Sequence, residues 1–436
     1  MRALAQFPTP TMAIRIELFF INVQPFRKNR ILFTTSNNYL ISFRLSRNLA
    51  NLGNPIKPHL FHTYFLTYLF QFVNFRNDSA FPKVILPMRK KRKSTLLHQP
   101  VQSIDLRKTQ SLYDLVQAFQ RTSFQSRNLF KCFEVFRKML SDPSCIIFMG
   151  LSGAMIPGGM RRVIHDMIEM KLVDVLVSTG ANMFHDLFEG FGYRHYIGSV
   201  EGDDDALRKH RIVRVYDALM DDHEINQVIK LLSEVPEELG EKAVSSRRYL
   251  EVLGKHIRDD GSILKTATRC GVPVFVPALS DSSIGIGLTF LHAQKKDPSD
   301  GLIIDQIRDN FEIAQLKKMA KTTGAIYIGG GVPKNYIQQL GPVSELLFLR
   351  KSGHRFAFQV TTDDPKWGGL SGCTFEEAKS WGKIEKESTY AAVYMDATVA
   401  LPLLVGAMFQ EGKVCRKRKR RQFIWEGDRL KTIKFS

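Results

Sequence analysis

The chain has 436 residues, of which 44% are hydrophobic, and a formal net charge of +19. This length suffices for one large domain or two smaller ones, and no apolar run reaches the roughly 18–20 residues that a membrane helix needs. The surplus charge lies entirely in residues 1–87 and in the runs RKKRK (89–93) and RKRKRR (416–421). Because the remainder is neutral overall, we expect basic tails exposed to solvent and no nucleic-acid-binding fold.

Five cysteines are spread along the chain, at positions 132, 145, 270, 373 and 415, and no two of them form a CxxC pair. An odd number without that spacing is typical of a reduced protein that lacks a structural zinc site. The N-terminus also lacks the order of segments that marks a signal peptide. We therefore expect a cytoplasmic protein without a metal or a membrane anchor.

Residues 1–87 differ in composition from everything that follows. They hold twelve of the 31 phenylalanines but only two acidic residues. We predict that this segment is a non-native or disordered extension. A basic arm would follow at 88–102, a single folded domain at 103–412, and a basic tail at 413–436.

Regular structure is predicted from residue 103 onward. The sequence SLYD at 111–114 resembles a helix-capping box, and Leu129, Phe133, Phe136 and Leu140 then recur at helical spacing. Strand-like apolar runs follow, alternating with helical stretches: CIIFMG (145–150), VDVLVS (173–178), VPVFVPA (272–278), AIYIGG (325–330), RFAFQVTT (355–362) and AAVYMDA (391–397). This alternation predicts an α/β fold with a doubly wound, mostly parallel sheet and an N-terminal helical segment.

Small or polar residues follow each predicted strand. In open parallel sheets, ligands bind beyond the carboxyl ends of the strands. Gly180 in STGAN and the glycine triplet in GGGVP (329–333) would let a phosphate or a flat ring approach the backbone, and Asp281 and Asp396 could accept a ribose hydroxyl. Each feature alone also fits an ordinary turn or helix cap. Their number at one sheet end favours a dinucleotide, for which NAD is the simplest candidate.

The stretch FEEAKSWGKIEKES (375–388) places Lys383 between an aromatic residue and an apolar one. A lysine attacks carbonyl or imine carbons only as the neutral amine, and burial beside apolar groups favours that form. Trp381 and Ile384 could form the apolar wall, while Glu377 could balance the charge of a polyamine. The alternative is an exposed surface lysine after a turn, and the spacing alone favours that alternative.

Several motifs in one order resemble the deoxyhypusine synthase family. They are VDVLVSTGAN, PVFVPALSDSSIG, IYIGGGVPKN, EEA followed by SWGKI, and YMDATVALPLLV, and the resemblance covers about residues 103–412. It implies a Rossmann-like domain that assembles as a homotetramer with interfacial active sites. It also implies NAD-dependent transfer of an aminobutyl group from spermidine. Lys383 matches the lysine that holds the butylimine covalently until an acceptor amine displaces it.

The resemblance assigns further positions by motif. Trp381, Glu377 and Asn335 would contact the substrate. The positions assigned to NAD are Gly153, Thr179, Asp281, Gly330, Thr362, Asp396 and Ala397.

The amine site departs from the family pattern. Ile286 and Leu370 replace aspartates, Asn335 replaces a histidine, and Phe184 and His185 replace a pair of glutamates. A dication that leaves water needs carboxylates or strong dipoles. We therefore expect either a less charged amine or anions placed elsewhere, for which Asp363, Asp364 and Asp186 are candidates. His185 could be a general base or could simply pack its helix.

The acceptor divides the functional alternatives. A protein lysine as acceptor would give deoxyhypusine synthesis, whereas a free diamine such as putrescine would give homospermidine. A second class of function is a non-catalytic dinucleotide-binding scaffold, which would have no need for a pocket amine. RNA binding through the basic ends is a third alternative.

Overall fold

The computed structural model describes residues 30–34, 40–44, 97–232, 238–349, 353–412 and 417–435. The chain divides into two units, residues 1–93 and 94–436. In the first unit, strands β1 (Arg30–Thr34) and β2 (Leu40–Arg44) pair in antiparallel fashion. The rest of the predicted extension at 1–87, and the basic arm as far as residue 96, lie outside the described residues.

Helices and strands alternate along the second unit. Its strands are β3 (Cys145–Leu151), β4 (Val175–Ser178), β5 (Tyr196–Ile197), β6 (Ile212–Val215), β7 (Ala218–Asp221), β8 (Ala243–Val244), β9 (Val274–Phe275), β10 (Ile303–Ile304), β11 (Thr322–Ile328), β12 (His354–Thr361), β13 (Ile384–Tyr394), β14 (Arg421–Glu426) and β15 (Arg429–Phe435). Its α-helices are α1 (Leu112–Ala118), α2 (Phe124–Ser141), α3 (Arg161–Glu169), α4 (Gly180–Gly190), α5 (Asp204–Lys209), α6 (Asp222–Leu232), α7 (Ser246–His256), α8 (Ile263–Cys270), α9 (Ser283–Ala293), α10 (Gln306–Met319), α11 (Gly331–Gln338), α12 (Leu340–Phe348), α13 (Phe375–Ser380) and α14 (Ala397–Glu411).

The centre of this unit is a six-stranded parallel sheet with the order β13–β12–β11–β3–β4–β9. Every residue of β3 is buried. Alternate residues of β3 belong to two separate apolar clusters, so helices and loops cover the sheet on both faces. Burial on both faces explains why the strands read as continuous apolar runs, and the predicted doubly wound α/β fold is confirmed.

The N-terminal helical segment forms as its sequence predicts. The side chain of Ser111 caps α1 by accepting a hydrogen bond from the backbone N–H of Asp114 at 3.1 Å. Helix α2 then buries all four of the apolar positions that recur at helical spacing. Among the described residues of this unit, three small sheets accompany the main one: an antiparallel set of β5, β7 and β6, a parallel pair of β8 and β10, and an antiparallel pair of β14 and β15.

The prediction of a solvent-exposed basic tail is wrong for residues 417–435. Strands β14 and β15 form a hairpin, and the side chains of Arg418 and Arg421 are buried. Their guanidinium groups lie 2.5 and 3.4 Å from the carboxylate of Asp174, which also accepts a hydrogen bond from the N–H of Ile147 at 2.8 Å. A buried carboxylate requires cationic or hydrogen-bonding partners, and a run of charges does not reveal a partner so distant in sequence.

No helix among the described residues is both long and apolar enough to cross a membrane.

Candidate active site

All the positions assigned to NAD follow strands of the central sheet. Gly153 follows β3, Thr179 follows β4, Asp281 follows β9, Gly330 follows β11, Thr362 follows β12, and Asp396 and Ala397 follow β13. Because these strands are parallel, the loops lie at one edge of the sheet, as the sequence predicts. The role of these residues toward a cofactor stays a prediction.

The loops after β3 and β4 are joined by a hydrogen bond. The hydroxyl of Thr179 donates to the carbonyl of Gly153 at 2.7 Å and accepts from the N–H of Asn182 at 3.3 Å, which caps α4. Gly153 has a φ of 65°, a backbone conformation that glycine adopts without steric cost. Thr179 therefore sets the shape of this edge as well as the start of its helix.

The glycine turn after β11 is fixed by two serines. Ser152 donates a hydrogen bond from its hydroxyl to the carbonyl of Gly330, and Gly331 donates its N–H to the hydroxyl of Ser371 at 3.0 Å. A Cβ added at Gly330 would lie 2.3 Å from Cα of Ser371, so only glycine fits there. A Cβ added at Gly331 would meet nothing nearer than 4.0 Å, so the backbone faces open space.

Asp396 acts as a helix cap. Its carboxylate accepts hydrogen bonds from the backbone N–H of Thr398, at 2.8 Å, and from the hydroxyl of the same residue. Asp281 and Thr362 are exposed, and Asp281 immediately precedes Ser282, the cap of α9. The cap interpretation thus applies to Asp396, while Asp281 and Thr362 present their side chains to solvent at this edge.

This edge fits a dinucleotide. Helices α4, α11 and α14 all begin at this edge. The free N–H groups at the start of a helix favour the binding of phosphate. The backbone at Gly331 faces open space, and at Gly153 only the end of the Met155 side chain lies nearby, at 3.7 Å from an added Cβ, so both leave room for a close approach.

Lys383 is buried, with 8% of its surface exposed, and is not an exposed surface lysine. Its Nζ atom lies 3.2 Å from Oδ1 of Asn335 and 5.5 Å from the ring centroid of Trp381. Trp381 is 63% exposed, so one face of the indole covers the amine while much of the side chain faces solvent. The structure therefore brings together Lys383, Trp381 and Asn335.

The main chain on both sides of Lys383 is held in place. Its N–H donates to the carbonyl of Ala378, and its carbonyl accepts from the N–H of His354, both at 3.0 Å. A Cβ added at Gly341 would lie 2.4 Å from the carbonyl oxygen of Gly382. A Cβ added at Gly353 would lie 2.4 Å from the carbonyl carbon of residue 384, so two glycines permit this close packing.

Lys334 is a second buried amine that the sequence analysis missed. Its ammonium donates to the side-chain oxygen of Gln359 at 2.9 Å and to the carbonyls of Ser371 and Cys373 at 2.8 and 2.6 Å. Burial is the main cause that lowers the pKa of Lys334 to about 8, and the charge of Lys383 contributes to the same shift. The only sequence signal was a lysine one residue before Asn335, within a helix that begins at the glycine turn.

Helix α11 runs from the glycine turn after β11 to the side chain that contacts Lys383. It begins at Gly331, and Asn335 lies four residues further on, about 6 Å along the helix axis. By contrast, Lys383 precedes β13 whereas Asp396 follows it, so their main chains lie at opposite ends of that strand. Glu377 lies in the first turn of α13, is exposed, and raises the pKa of Lys334, so its charge acts within the same site.

Asp186 cannot replace the missing anions of the amine site, so that expectation is wrong. The carboxylate is fully buried and accepts hydrogen bonds from the backbone N–H groups of Ile263 and Leu264, both at 2.9 Å. It also accepts from the hydroxyl of Ser262 at 2.8 Å and pairs with Arg161 at 2.7 Å. These partners make it an anchor for the start of α8.

His185 packs its helix. Its Nδ1 lies 2.9 Å from Nε2 of His195, and burial lowers the pKa of His185 to about 4. Phe184 beside it is also buried. Both residues therefore belong to the core, and the structure favours packing over general-base chemistry for His185.

The other two candidate anions lie at the surface. Asp364 accepts a hydrogen bond from the N–H of Lys366 at 3.0 Å and pairs with the side chain of the same lysine at 2.9 Å. Asp363 is exposed and, with Glu376 and Tyr390, lines an open cavity of about 260 Å³. Asp363 is thus the candidate anion that is both accessible and next to a cavity.

Comparison with known proteins now decides the family. The family model described as deoxyhypusine synthase matches residues 114–408. The chain belongs to the deoxyhypusine synthase family. It is 44% identical over 332 residues to "Probable deoxyhypusine synthase 2" of Methanosarcina mazei, an alignment that covers 75% of this chain and 94% of that protein. It is 36% identical over 330 residues to the "Deoxyhypusine synthase-like protein" of Chlorobaculum parvum, covering 74% and 93% of the two chains.

One solved structure shares the fold of this chain. It is a crystal structure from Entamoeba histolytica of a protein assigned to this family, with a TM-score of 0.51 and 20% identity. The match covers 71% of this chain and 97% of the other. Membership of the deoxyhypusine synthase family makes this chain an aminobutyl transferase.

Proposed function

We propose that this protein is an NAD-dependent aminobutyl transferase that acts on spermidine or a related polyamine through a covalent imine on Lys383. The observation that carries the proposal is the buried amine of Lys383, held 3.2 Å from the side-chain oxygen of Asn335 and beside the ring of Trp381. A buried amine beside an aromatic ring suits imine chemistry, and a non-catalytic scaffold would have no use for it.

NAD held along the edge that carries Gly153, Thr179 and Gly330 would supply a hydride acceptor for the carbon next to the secondary amine and, later, a hydride donor. The residues of the chain do the rest. The nitrogen of Lys383 forms a bond to the imine carbon, and 1,3-diaminopropane leaves as that carbon's bond to its former nitrogen breaks. The side-chain oxygen of Asn335 accepts a hydrogen bond from Nζ of Lys383 and so orients this nitrogen toward the imine carbon. An acceptor amine later displaces Lys383, and the freed lysine regains its starting form.

The substrate amines would meet aromatic faces and scattered carboxylates. The Trp381 ring already lies within cation–π range of an amine, and Glu377 contributes negative charge to the same region. At two of the positions where the family has aspartates, Ile286 and Leu370 are 57% and 48% exposed and apolar. This exposed apolar surface favours a second candidate function, synthesis of homospermidine with putrescine as the acceptor in place of a protein lysine.

We also propose that the working form is a homotetramer with active sites at its interfaces. Large apolar side chains on the elements around Lys383 face solvent, namely Val332, Trp367, Leu370 and Trp381. Exposed apolar side chains clustered around a site often mark a surface that a partner covers. Sedimentation equilibrium should give four times the chain mass, and a monomer that retains full activity would contradict this arrangement.

The test of the proposed function combines an amine-exchange assay with chemical trapping. Purified protein would be incubated with NAD, spermidine and putrescine, and the products would be identified by mass spectrometry. Borohydride added during turnover should leave a stable aminobutyl adduct on Lys383. Lys383→Arg should abolish both product and adduct. Lys379→Arg is the matched control, because Lys379 lies in the neighbouring helix and pairs with Glu376 instead. If spermidine is not consumed and no adduct forms, the proposed function is wrong.

A further inference from the structure

His354 is a buried histidine that connects the two segments carrying Lys383 and Asn335. Its backbone N–H donates to the carbonyl of Lys383 at 3.0 Å. Its ring Nε2 lies 3.0 Å from the carbonyl oxygen of Ile337, two residues after Asn335 in α11. One residue thus contacts the main chain beside the reactive amine and the helix that holds the partner of that amine.

The hydrogen bonds around His354 fix which ring nitrogen carries the proton. The carbonyl of Ile337 can only accept, so Nε2 carries the hydrogen. Nδ1 lies 3.1 Å from the hydroxyl of Thr323, and that hydroxyl accepts from the ammonium of Lys317 at 2.5 Å. The hydroxyl hydrogen is therefore directed at Nδ1. Burial is the main cause that holds the pKa of His354 well below its usual range, and the nearby charge of Lys317 is the second cause. The ring therefore stays neutral.

This network also fixes the turn before His354. The ammonium of Lys317 donates to the carbonyl of Gly353 at 2.7 Å, and Gly353 packs directly against the main chain that follows Lys383. The ring of Phe148 stands edge-on to the imidazole at 6.0 Å between centroids and leaves it little freedom to rotate. Every polar atom of the imidazole has a partner, so its orientation is determined from both sides.

We propose that His354 is a positioning residue: its main chain and its imidazole together set the separation between Lys383 and Asn335. The inference rests on the proposed function for its catalytic consequence, but its structural content is independent of it. His354 touches neither the substrate nor the reacting atoms, and it acts by holding a strand start and a helix in register. A displacement of about 1 Å in such a pair is enough to slow a reaction by about 100-fold.

The test compares three variants. His354→Phe keeps a ring of similar size and removes both ring nitrogens, while His354→Gln retains an N–H that can reach the carbonyl of Ile337. His165→Phe is the matched control, because His165 is also buried but lies on α3 and bonds to Asp166. Each variant is measured by the single-turnover rate of borohydride-trapped adduct at Lys383 with saturating spermidine, and by the dissociation constant of NAD.

We expect His354→Phe to slow adduct formation about 10- to 100-fold with NAD affinity unchanged. His354→Gln should recover most of the rate, and His165→Phe should match the parent rate in the folded fraction. If His354→Phe does not fold, Thr323→Val, which removes the hydroxyl facing Nδ1, should show a smaller loss of the same kind. Parent-like adduct formation in folded His354→Phe would overturn the inference and leave the proposed function intact.

A measurement without substrate separates the two proposals further. Amide hydrogen exchange in peptides covering residues 331–338 and 381–385 should be faster in His354→Phe than in the parent and in His165→Phe. Unchanged exchange in both peptides would overturn the inference about His354, whether or not the parent protein forms an adduct. The absence of an adduct in the parent protein would count against the proposed function alone.

Discussion

Nζ of Lys383 and Oδ1 of Asn335 lie 3.2 Å apart, although Asn335 lies in the middle of α11 and Lys383 immediately precedes β13. An amide oxygen accepts from either an ammonium or a neutral amine, and it does not titrate. The family pattern has a histidine at this position, which could change its protonation near neutral pH. The acceptor that Asn335 presents in this contact therefore does not change its charge with pH.

The first prediction concerns that contact. Asn335→Leu should lower the rate of adduct formation on Lys383 about 10-fold or more, because the amine loses the acceptor that orients it. Asn335→His restores a polar side chain of the family type and should keep the rate within a few-fold of the parent. The measurement is borohydride trapping over time. A parent-like rate in Asn335→Leu would show that the amine is oriented by other groups.

The second prediction concerns the close packing beside Lys383. Gly341→Ala should lower both stability and the rate of product formation, because the added methyl group would lie 2.4 Å from the carbonyl oxygen of Gly382. Overpacking of this kind costs about 1–3 kcal/mol. Gly202→Ala is the control, since its added carbon would meet no atom nearer than 3.4 Å. Thermal unfolding and steady-state turnover would be compared, and equal values for the two variants would contradict the prediction.

The third prediction concerns the buried carboxylate of Asp174. Asp174→Ala leaves Arg418 and Arg421 buried without their anion, and breaking a buried pair in this way costs about 3–5 kcal/mol. Lys419→Ala alters an exposed residue of the same basic run and should change stability by no more than about 0.5 kcal/mol. Denaturant unfolding of both variants gives the comparison. A small loss in Asp174→Ala would mean that the hairpin contributes little to folding.

The fourth prediction concerns the pH dependence of stability. The pKa of Lys334 is about 8 in the folded protein against an ordinary value of 10.5. Between these two values the unfolded chain binds more protons than the folded one, so the contribution of Lys334 to stability rises with pH across that window. The rise amounts to about 3 kcal/mol at most. Below pH 8 both states are protonated and the contribution is flat.

The variant Lys334→Met provides the readout for this pH effect. It removes the titrating amine, so the difference in unfolding free energy between parent and variant should shift in favour of the parent from pH 8 to pH 10. Lys419→Met, an exposed lysine, is the control and should leave the pH profile of the parent unchanged. A parent-minus-variant difference that stays constant with pH would contradict the low pKa of Lys334.

Much of the sheet and its edge was predictable because local patterns carry the information. Strand runs such as 145–150 are apolar at every position since both faces are buried, and small residues follow each run where the chain must turn. The motif SWGKI marks Lys383 by resemblance, and the structure buries that residue. These features depend on residues that are close together in sequence.

What escaped prediction depends on contacts between distant residues. The roles of Lys334 and His354 follow from carbonyls and side chains on other elements, which no spacing rule reveals. Asp186 is a candidate amine ligand in the sequence, which gives no sign of the partners that its carboxylate meets at the start of α8. The basic run at 416–421 was interpreted from its charge alone, and the carboxylate of Asp174 overturns that interpretation for two of its arginines.

The salt bridges from Arg418 and Arg421 to Asp174 also constrain the order of folding during synthesis. The ribosome makes residues 418 and 421 only after every strand of the central sheet has been translated. Until then the carboxylate of Asp174, just before β4, has no guanidinium partner. The amino-terminal ends of β3 and β4 then lack their contacts with Arg418 and Arg421. The nascent domain therefore reaches its final state only when its last hairpin emerges.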